Sequence, residues 1–380
     1  MNPLVTIAPA LLEEWMREYY FKTEFDIGSS GVQSFSLGEI RELLGITQSE
    51  LDNIVFDDSE TLGGFGLRKA IAERYGNGDP ERVIATHGSS EAIFLIMTAL
   101  LNPGDEVVVL DPCYQQLFSI AKSVGCRLKF WPLRFENGFV PDVEEAKRLI
   151  TDKTRMVVVN FPHNPTGASL TSEQQEELVK ATAAVGAYLV WDAAFAEITY
   201  DSARLPDPVQ YERCISMGTL SKSFGLPGLR VGWCLASPDV LERFAKLRDY
   251  TILHLSPLIE LIAQRTIEQA QVVVGERLRQ ANANLNFLKV WCDEHREFVE
   301  WIPPRGGVCS FPRLRRISDV ETFCHRLARS YGVLLVPGSC FNNPFHVRLG
   351  FGGATPMVME GLSRFATLLK VTAASAASAS

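Results

Sequence analysis

Between residues 82 and 236 the chain alternates short apolar runs with stretches of helical period. The runs Arg82–Thr86, Glu106–Leu110, Arg127–Trp131, Met156–Asn160, Tyr188–Asp192, Cys214–Thr219 and Val231–Ala236 are short and rich in β-branched or aromatic residues, so each is predicted to be a strand. Segments between them, such as Ser172–Val185 with Thr171 as its cap, carry the spacing of amphipathic helices. Strands apolar on both faces, alternating with helices, predict an α/β fold whose large domain holds a mostly parallel central sheet covered by helices. After Pro238 a helical pattern runs to about Glu294, broken near Ser256-Pro257. A strand over Phe298–Phe311, a helix over Val320–Arg329, strands over Val333–Val336 and Val347–Phe351 and a helix over Pro356–Leu369 follow. They predict a smaller α+β C-terminal domain.

Bulk properties narrow the classes. The chain has 380 residues, 46% hydrophobic and 22% charged, enough for one large core and a satellite. A net charge of −8 argues against nucleic acid as a partner. None of the eight cysteines forms a Cys-x-x-Cys pair, and the histidines lack zinc spacing, so no metal site is expected. Most cysteines sit in apolar runs, as buried thiols of a reducing cytoplasm do. Glu13 and Glu14 stand where a secretory leader would be basic and then apolar, and no apolar run approaches the roughly 18 residues of a membrane span. A cytoplasmic protein without a membrane partner is expected, with a low-complexity, disordered Ala/Ser tail at 372–380.

The chemistry-bearing residues gather at strand ends. In open α/β sheets ligands bind beyond the carboxyl ends of the strands. Ser89, Tyr114, Asn164, Asp192 and Lys222 all lie at or just after such an end. His87-Gly88-Ser89-Ser90-Glu91 opens a helix, where free backbone N–H groups and hydroxyls suit a phosphate. Asp192 closes a buried strand and needs a partner there. Arg348 stands among apolar strand residues and needs an anion.

Gly218-Thr219-Leu220-Ser221-Lys222-Ser223-Phe224-Gly225 with Arg230, preceded by Asn164-Pro165-Thr166-Gly167 and by Asp192, resembles the fold-type I pyridoxal 5′-phosphate (PLP) enzymes of the aminotransferase class I/II superfamily. The resemblance covers roughly residues 25–370. It implies that Lys222 carries the cofactor and acts as base at the substrate Cα. It implies that Asp192 pairs with the pyridine N–H, that Tyr114 stacks on the ring and that Asn164 holds the phenolate oxygen. Ser89, Ser90, Thr219 and Arg230 match the phosphate ligands, and Arg348, with Gly31, the site of the substrate carboxylate. The implied layout is an N-terminal segment over the site (1–45), a large PLP-binding domain (46–255) and a small C-terminal domain (256–371), in a homodimer.

Three positions depart from a plain aminotransferase: Phe195 where relatives carry a tyrosine, Asp58 in place of another tyrosine, and Gln33 in place of a proline. With Asp26-Ile27-Gly28-Ser29-Ser30-Gly31-Val32, Asn160-Phe161-Pro162-His163-Asn164-Pro165 and Leu12-Glu13-Glu14-Trp15, the chain resembles the PLP-dependent hydroxyarginine cyclases that form capreomycidine or enduracididine. That resemblance implies a cyclodehydratase: Cα deprotonation, loss of water and intramolecular guanidine addition. γ-Hydroxyarginine, giving enduracididine, is favoured slightly over β-hydroxyarginine, giving capreomycidine. Glu13 or Glu14 could grip the guanidinium, or both could be solvated helix residues. His87 and His163 flank cofactor loops and could shuttle protons or serve structurally. An ordinary α-aminotransferase, an arginine oxidase or hydroxylase and a regulatory PLP-fold module remain as alternatives.

Overall fold

The computed structural model describes residues 7–200 and 203–377. All seven predicted strands of the central sheet form, with bounds shifted by at most two residues. They are β1 (Val83–Thr86), β2 (Glu106–Asp111), β3 (Arg127–Pro132), β4 (Thr154–Asn160), β5 (Tyr188–Asp192), β6 (Cys214–Thr219) and β7 (Gly232–Leu235). Their order is β1-β7-β6-β5-β4-β2-β3. Strand β7 runs antiparallel to both neighbours and the other pairs are parallel. The inner strands are buried almost throughout, and the edge strand β3 is largely exposed or half-buried. The order reverses between β2 and β4, so the loops after β2, β4 and β5 open toward one crevice.

The predicted C-terminal strand over Phe298–Phe311 does not form as one piece. Val299–Glu300 and β8 (Cys309–Ser310) are separate, with Pro303-Pro304 and Gly306-Gly307 between them. Prolines remove ladder donors, and Gly307 takes φ of 69°, which ends pairing there. The predicted strand over Val333–Val336 also divides. Val333–Leu334 pairs in parallel with Phe25–Asp26, whereas β9 (Val336–Pro337) pairs with β10 (Val347–Gly350). Strand β10 is the centre of a three-stranded antiparallel sheet, β8-β10-β9. The helical region after Pro238 is three helices, Pro238–Arg248, Pro257–Glu268 and Ala270–Glu294, with a wider break before Pro257 than the sequence suggests.

The last helix, Thr355–Ala377, corrects the expected tail, since residues 372–377 are helical and only 378–380 lie outside the described residues. Alanine is the strongest helix former, so an Ala/Ser run extends a helix already nucleated by Val358, Leu362 and Phe365 in the core. All eight cysteines are free thiols, seven of them buried. Among the described residues no helix is long and apolar enough to cross a membrane.

Helix α1 (Leu11–Tyr19) is the N-terminal cover of the crevice. Leu12, Trp15 and Tyr19 repeat at helical spacing and are buried. Trp15 Nε1 donates to the Leu335 carbonyl at 3.1 Å. At the other end Leu11 N donates to Gln115 Oε1 at 3.0 Å and Gln115 Nε2 donates to the Pro9 carbonyl at 2.7 Å. The helix is thereby tied both to the C-terminal sheet and to the loop after β2. Trp15→Ala is expected to lower the unfolding free energy by about 3 kcal/mol, read by chemical denaturation. Faster amide exchange along residues 11–19 should accompany it.

Candidate active site

A cavity of about 860 Å³ lies at the carboxyl ends of β4 and β5 and beneath α1. Its walls take residues from both termini and from the central sheet.

One end is built around the start of helix α2 (Gly88–Leu100), which follows β1. No side chain caps α2, so its first N–H groups stay available beside Ser89 and Ser90. Behind it, Glu91 Oε2 accepts from His87 N at 2.5 Å, and its other oxygen lies 3.2 Å from Arg248 Nε. Arg248 is fully buried and donates to the carbonyls of Thr61 and Ala85 at 2.6 and 2.7 Å. This buried pair fixes the helix start from the side away from the cavity. Arg230 approaches from the front with φ of 54°, a left-handed conformation that is strained for arginine. Gly88 has φ of 73°, which strains any side chain, and a Cβ there would come within 2.7 Å of the Arg230 guanidinium and push it aside. A Cβ on Gly232 would sit 2.8 Å from Ser89 N, which holds β7 against the same turn. Free amides, hydroxyls and a guanidinium thus converge on one point, the donor set a phosphate takes.

Thr219 is not in the wall of this cavity, although its hydroxyl lies 3.0 Å from that of Ser221, which is. The Thr219 hydroxyl donates to the Val231 carbonyl at 2.9 Å and accepts from Ser221 N at 3.1 Å. As the last residue of β6 it is turned into the β6–β7 pairing, and Ser221 faces the cavity instead, 3.4 Å from Arg230. The motif quoted above contains Ser221, and only the strand boundary distinguishes the two hydroxyls.

The other end is a set of charges held apart. The Asp192 carboxylate accepts one hydrogen bond from Ala194 N at 3.0 Å. Burial pushes it up to about 6, against that bond and the nearby Lys222 amine. Lys222 is pushed down, first by burial and then by the Arg348 guanidinium, and its Nζ donates to Ser30 Oγ at 3.0 Å. Arg348, on β10, is buried; it donates to the Gly28 carbonyl at 3.0 Å and to Asn164 Oδ1 at 3.3 Å. Among the described residues no carboxylate forms an ion pair with it. Asn164 is itself fixed through its N–H, which donates to Asn160 Oδ1 at 2.8 Å. A pyridine ring carrying an aldehyde and a phosphate fits here, with an amine, a ring-facing acid and a phosphate cradle all opening into one space.

Tyr114 lines the cavity and donates to Glu13 Oε1 at 2.6 Å; burial and the Glu13 charge both raise its pKa. Glu13 and Gly31 line the cavity. Glu14 does not: its side chain is half exposed and lies 3.8 Å from Arg17. Glu13, Met16, Arg17 and Tyr20, at spacings of three, four and seven, share the face that meets the cavity, and Glu14 falls outside it. The histidines do not take part. His163 Nδ1 is bonded to Thr166 Oγ1 at 2.8 Å, and burial lowers the ring to about 3, so it stays neutral. His87 is occupied by Glu91 and lies outside the cavity wall. Phe195 lines the cavity without offering a hydroxyl, and Asp58 is exposed beside His254 Nε2 at 3.0 Å.

Asp192 is raised from 3.8 in the unfolded chain to about 6 when folded. Its charged form therefore destabilises the folded state fully above pH 6, and the penalty disappears as pH falls through 6 toward 3.8. Asp192→Asn is expected to stabilise the cofactor-free protein at pH 8 by up to about 3 kcal/mol and to have little effect at pH 4. Denaturant unfolding at the two pH values checks the sign.

Residues 62–365 match the family model for aminotransferase class I and II. The chain is 43% identical to capreomycidine synthase of Streptomyces vinaceus, over 93% of this chain and 92% of that one. It is 30% identical to the arginine–pyruvate transaminase AruH of Pseudomonas aeruginosa, over 82% and 83% of the two chains. Among solved structures, the PLP-dependent cyclase OrfR superposes with a TM-score of 0.91 at 44% identity, over 96% of this chain and 97% of that chain. A PLP-dependent aminotransferase from Streptococcus suis superposes with a TM-score of 0.92 at 30% identity, over 97% and 99%. With the phosphate cradle, the amine and the acid in one cavity, these likenesses identify the chain as a member of the aminotransferase class I and II family.

Proposed function

We propose that this chain is a PLP-dependent cyclodehydratase of a hydroxylated L-arginine. The observation that carries the proposal is the placing of Glu13 in the cavity wall together with the buried Arg348. An arginine derivative presents a carboxylate at one end and a guanidinium at the other, and this cavity offers one opposite charge for each. The 43% identity to capreomycidine synthase supports the same class and favours β-hydroxyarginine, with its six-membered product, over the γ-isomer expected above.

The cofactor is PLP, and when bound it supplies an electron sink for the pair left at Cα. Ser89, Ser90, Ser221, Arg230 and the α2 N–H groups hold its phosphate. Asp192 would pair with the ring nitrogen and keep it protonated, Tyr114 would stack on the ring and Asn164 would bind its phenolate oxygen; all three line the cavity. Lys222 would hold the aldehyde and serve as base toward the Cα proton, its lowered pKa keeping more of the amine neutral. Arg348 clamps the carboxylate and Glu13 the guanidinium. Helix α1 covers the cavity with Leu12 and Met16, keeping water from the unsaturated intermediate. The apolar residues Val55, Phe56, Tyr250 and Leu253 are exposed on two loops joined by the Asp58–His254 contact, a surface suited to a second copy of the chain.

A second reading, an α-aminotransferase, draws on the likeness to AruH. Incubation with β- or γ-hydroxyarginine without a keto acid separates the two. A product lighter by one water that retains its amino group is expected, and keto acid appearing only with an amino acceptor would replace the proposal with the second reading. Glu13→Gln is expected to remove about 2 kcal/mol of binding, roughly a 30-fold rise in KM. Steady-state kinetics should show a smaller change in kcat. Phe56→Asp is expected to yield monomers, read by light scattering during gel filtration.

A further inference from the structure

The hydroxyl of Ser30 is the hydrogen-bond acceptor that the protein gives the Lys222 amine, at 3.0 Å. Ser30 is buried and lines the same cavity. Its loop is held from several sides. Asp26 Oδ1 accepts from Gly28 N and Ser29 N at 2.9 and 2.8 Å, and Gly28 in turn accepts from Arg348 at 3.0 Å. Val32 N donates to the Lys222 carbonyl at 3.1 Å, and Gln33 N donates to the Gly352 carbonyl at 2.8 Å. The serine is therefore delivered to the lysine by backbone bonds on both of its flanks, one of them to the lysine's own carbonyl.

Loss of water needs a proton at the departing hydroxyl, and the titratable groups near Lys222 do not supply one well. Arg348 and Arg230 are guanidinium ions that do not release protons at neutral pH, Glu13 and Asp192 are committed to the guanidinium and the ring, the Tyr114 phenol already donates its proton to Glu13 at 2.6 Å, and burial holds the Cys309 thiol protonated. Resting on the cyclodehydratase reading, we propose that Ser30 delivers the proton that carries the leaving hydroxyl away, recharged by the Lys222 ammonium formed when Cα is deprotonated. The Cα–H bond breaks and its proton goes to Nζ. The carbon–oxygen bond of the hydroxyl breaks, taking an electron pair that the Cα–H pair replaces. Ser30 gives its hydroxyl proton to the departing oxygen as it receives one from Nζ, and water leaves. The step is redox-neutral and needs no external acid. A serine alone is a poor acid, but an ammonium donating to its oxygen lets it pass a proton without bearing charge.

Two measurements on Ser30→Ala, with Ser30→Thr as the conservative control, test this. The first uses the cofactor-free protein and follows covalent capture of added PLP by absorbance across pH. Removing the acceptor takes away a bond that favours the ammonium, so the pH midpoint of capture should fall by about 0.5 or more in the alanine variant and return with threonine. The second compares Cα hydrogen exchange of L-arginine with water release from hydroxyarginine. Exchange should fall less than about tenfold while water release falls roughly 100-fold or more, and threonine should restore it. Equal losses in both would reduce Ser30 to a prop for Lys222, and no loss in either would remove it from the reaction; each overturns the proposal. Wild-type enzyme that exchanges Cα but releases no water would overturn the cyclodehydratase reading and proton delivery with it, whereas an unmoved capture midpoint overturns the Ser30–Lys222 coupling alone.

Discussion

An amine, a guanidinium and a carboxylate share one cavity here without neutralising one another. Lys222, Arg348 and Asp192 are each held by neutral partners, namely the Ser30 hydroxyl, the Gly28 and Asn164 oxygens and the Ala194 N–H. Buried charges are costly unless paired, and a chain selected for stability alone would let the acid meet a cation. Keeping them apart leaves each short of a partner of opposite charge. A ligand that brings a ring N–H to the acid, an aldehyde to the amine and a carboxylate to the guanidinium recovers what folding gave up. The depressed lysine and the elevated aspartate are two expressions of this one constraint.

The separation is enforced by backbone more than by side chains. Gly88 and Gly232 let a strand, a helix start and a guanidinium occupy a space that any Cβ would fill. Arg230 takes a left-handed φ to aim its fork at that space. Arg248 and Glu91 pair where no ligand reaches, so the stabilising ion pair and the binding charges lie on opposite sides of α2. The fold supplies a fixed cradle, and Glu13, Ser30 and Arg348, from distant parts of the chain, complete the wall that faces it.

The central sheet was legible because its strands are buried on both faces, which leaves short continuous apolar runs rich in β-branched residues between helical segments. That Ser89, Tyr114, Asn164, Asp192 and Lys222 line one cavity was legible because they stand at or near the ends of those strands. What could not be read depended on docking. Glu13 and Glu14 are neighbours in sequence, and the choice between them rests on which face of α1 meets the crevice. Thr219 and Ser221 differ by whether the strand has ended. Ser30 stands in the Asp26–Val32 stretch with nothing beside it to single it out, and its partner lies 192 residues away. The C-terminal strands broke at prolines and glycines whose effect is local but whose pairing partners are remote, and the alanine tail became helix because a packed helix preceded it.

Ser29 meets Gly350 so closely that no side chain fits between them, and Phe25–Asp26 pairs with Val333–Leu334. Biosynthesis gives that contact a direction. The loop that carries Ser30 and Gly31 is made well before β10, the strand on which it rests. During translation the sheet, the phosphate cradle and Lys222 are complete while the substrate end has nothing to rest on. A nascent or C-terminally truncated chain would therefore hold most of the groups that seize the cofactor without those that confine its reactivity. That wall of the cavity is assembled only after β10 has been made.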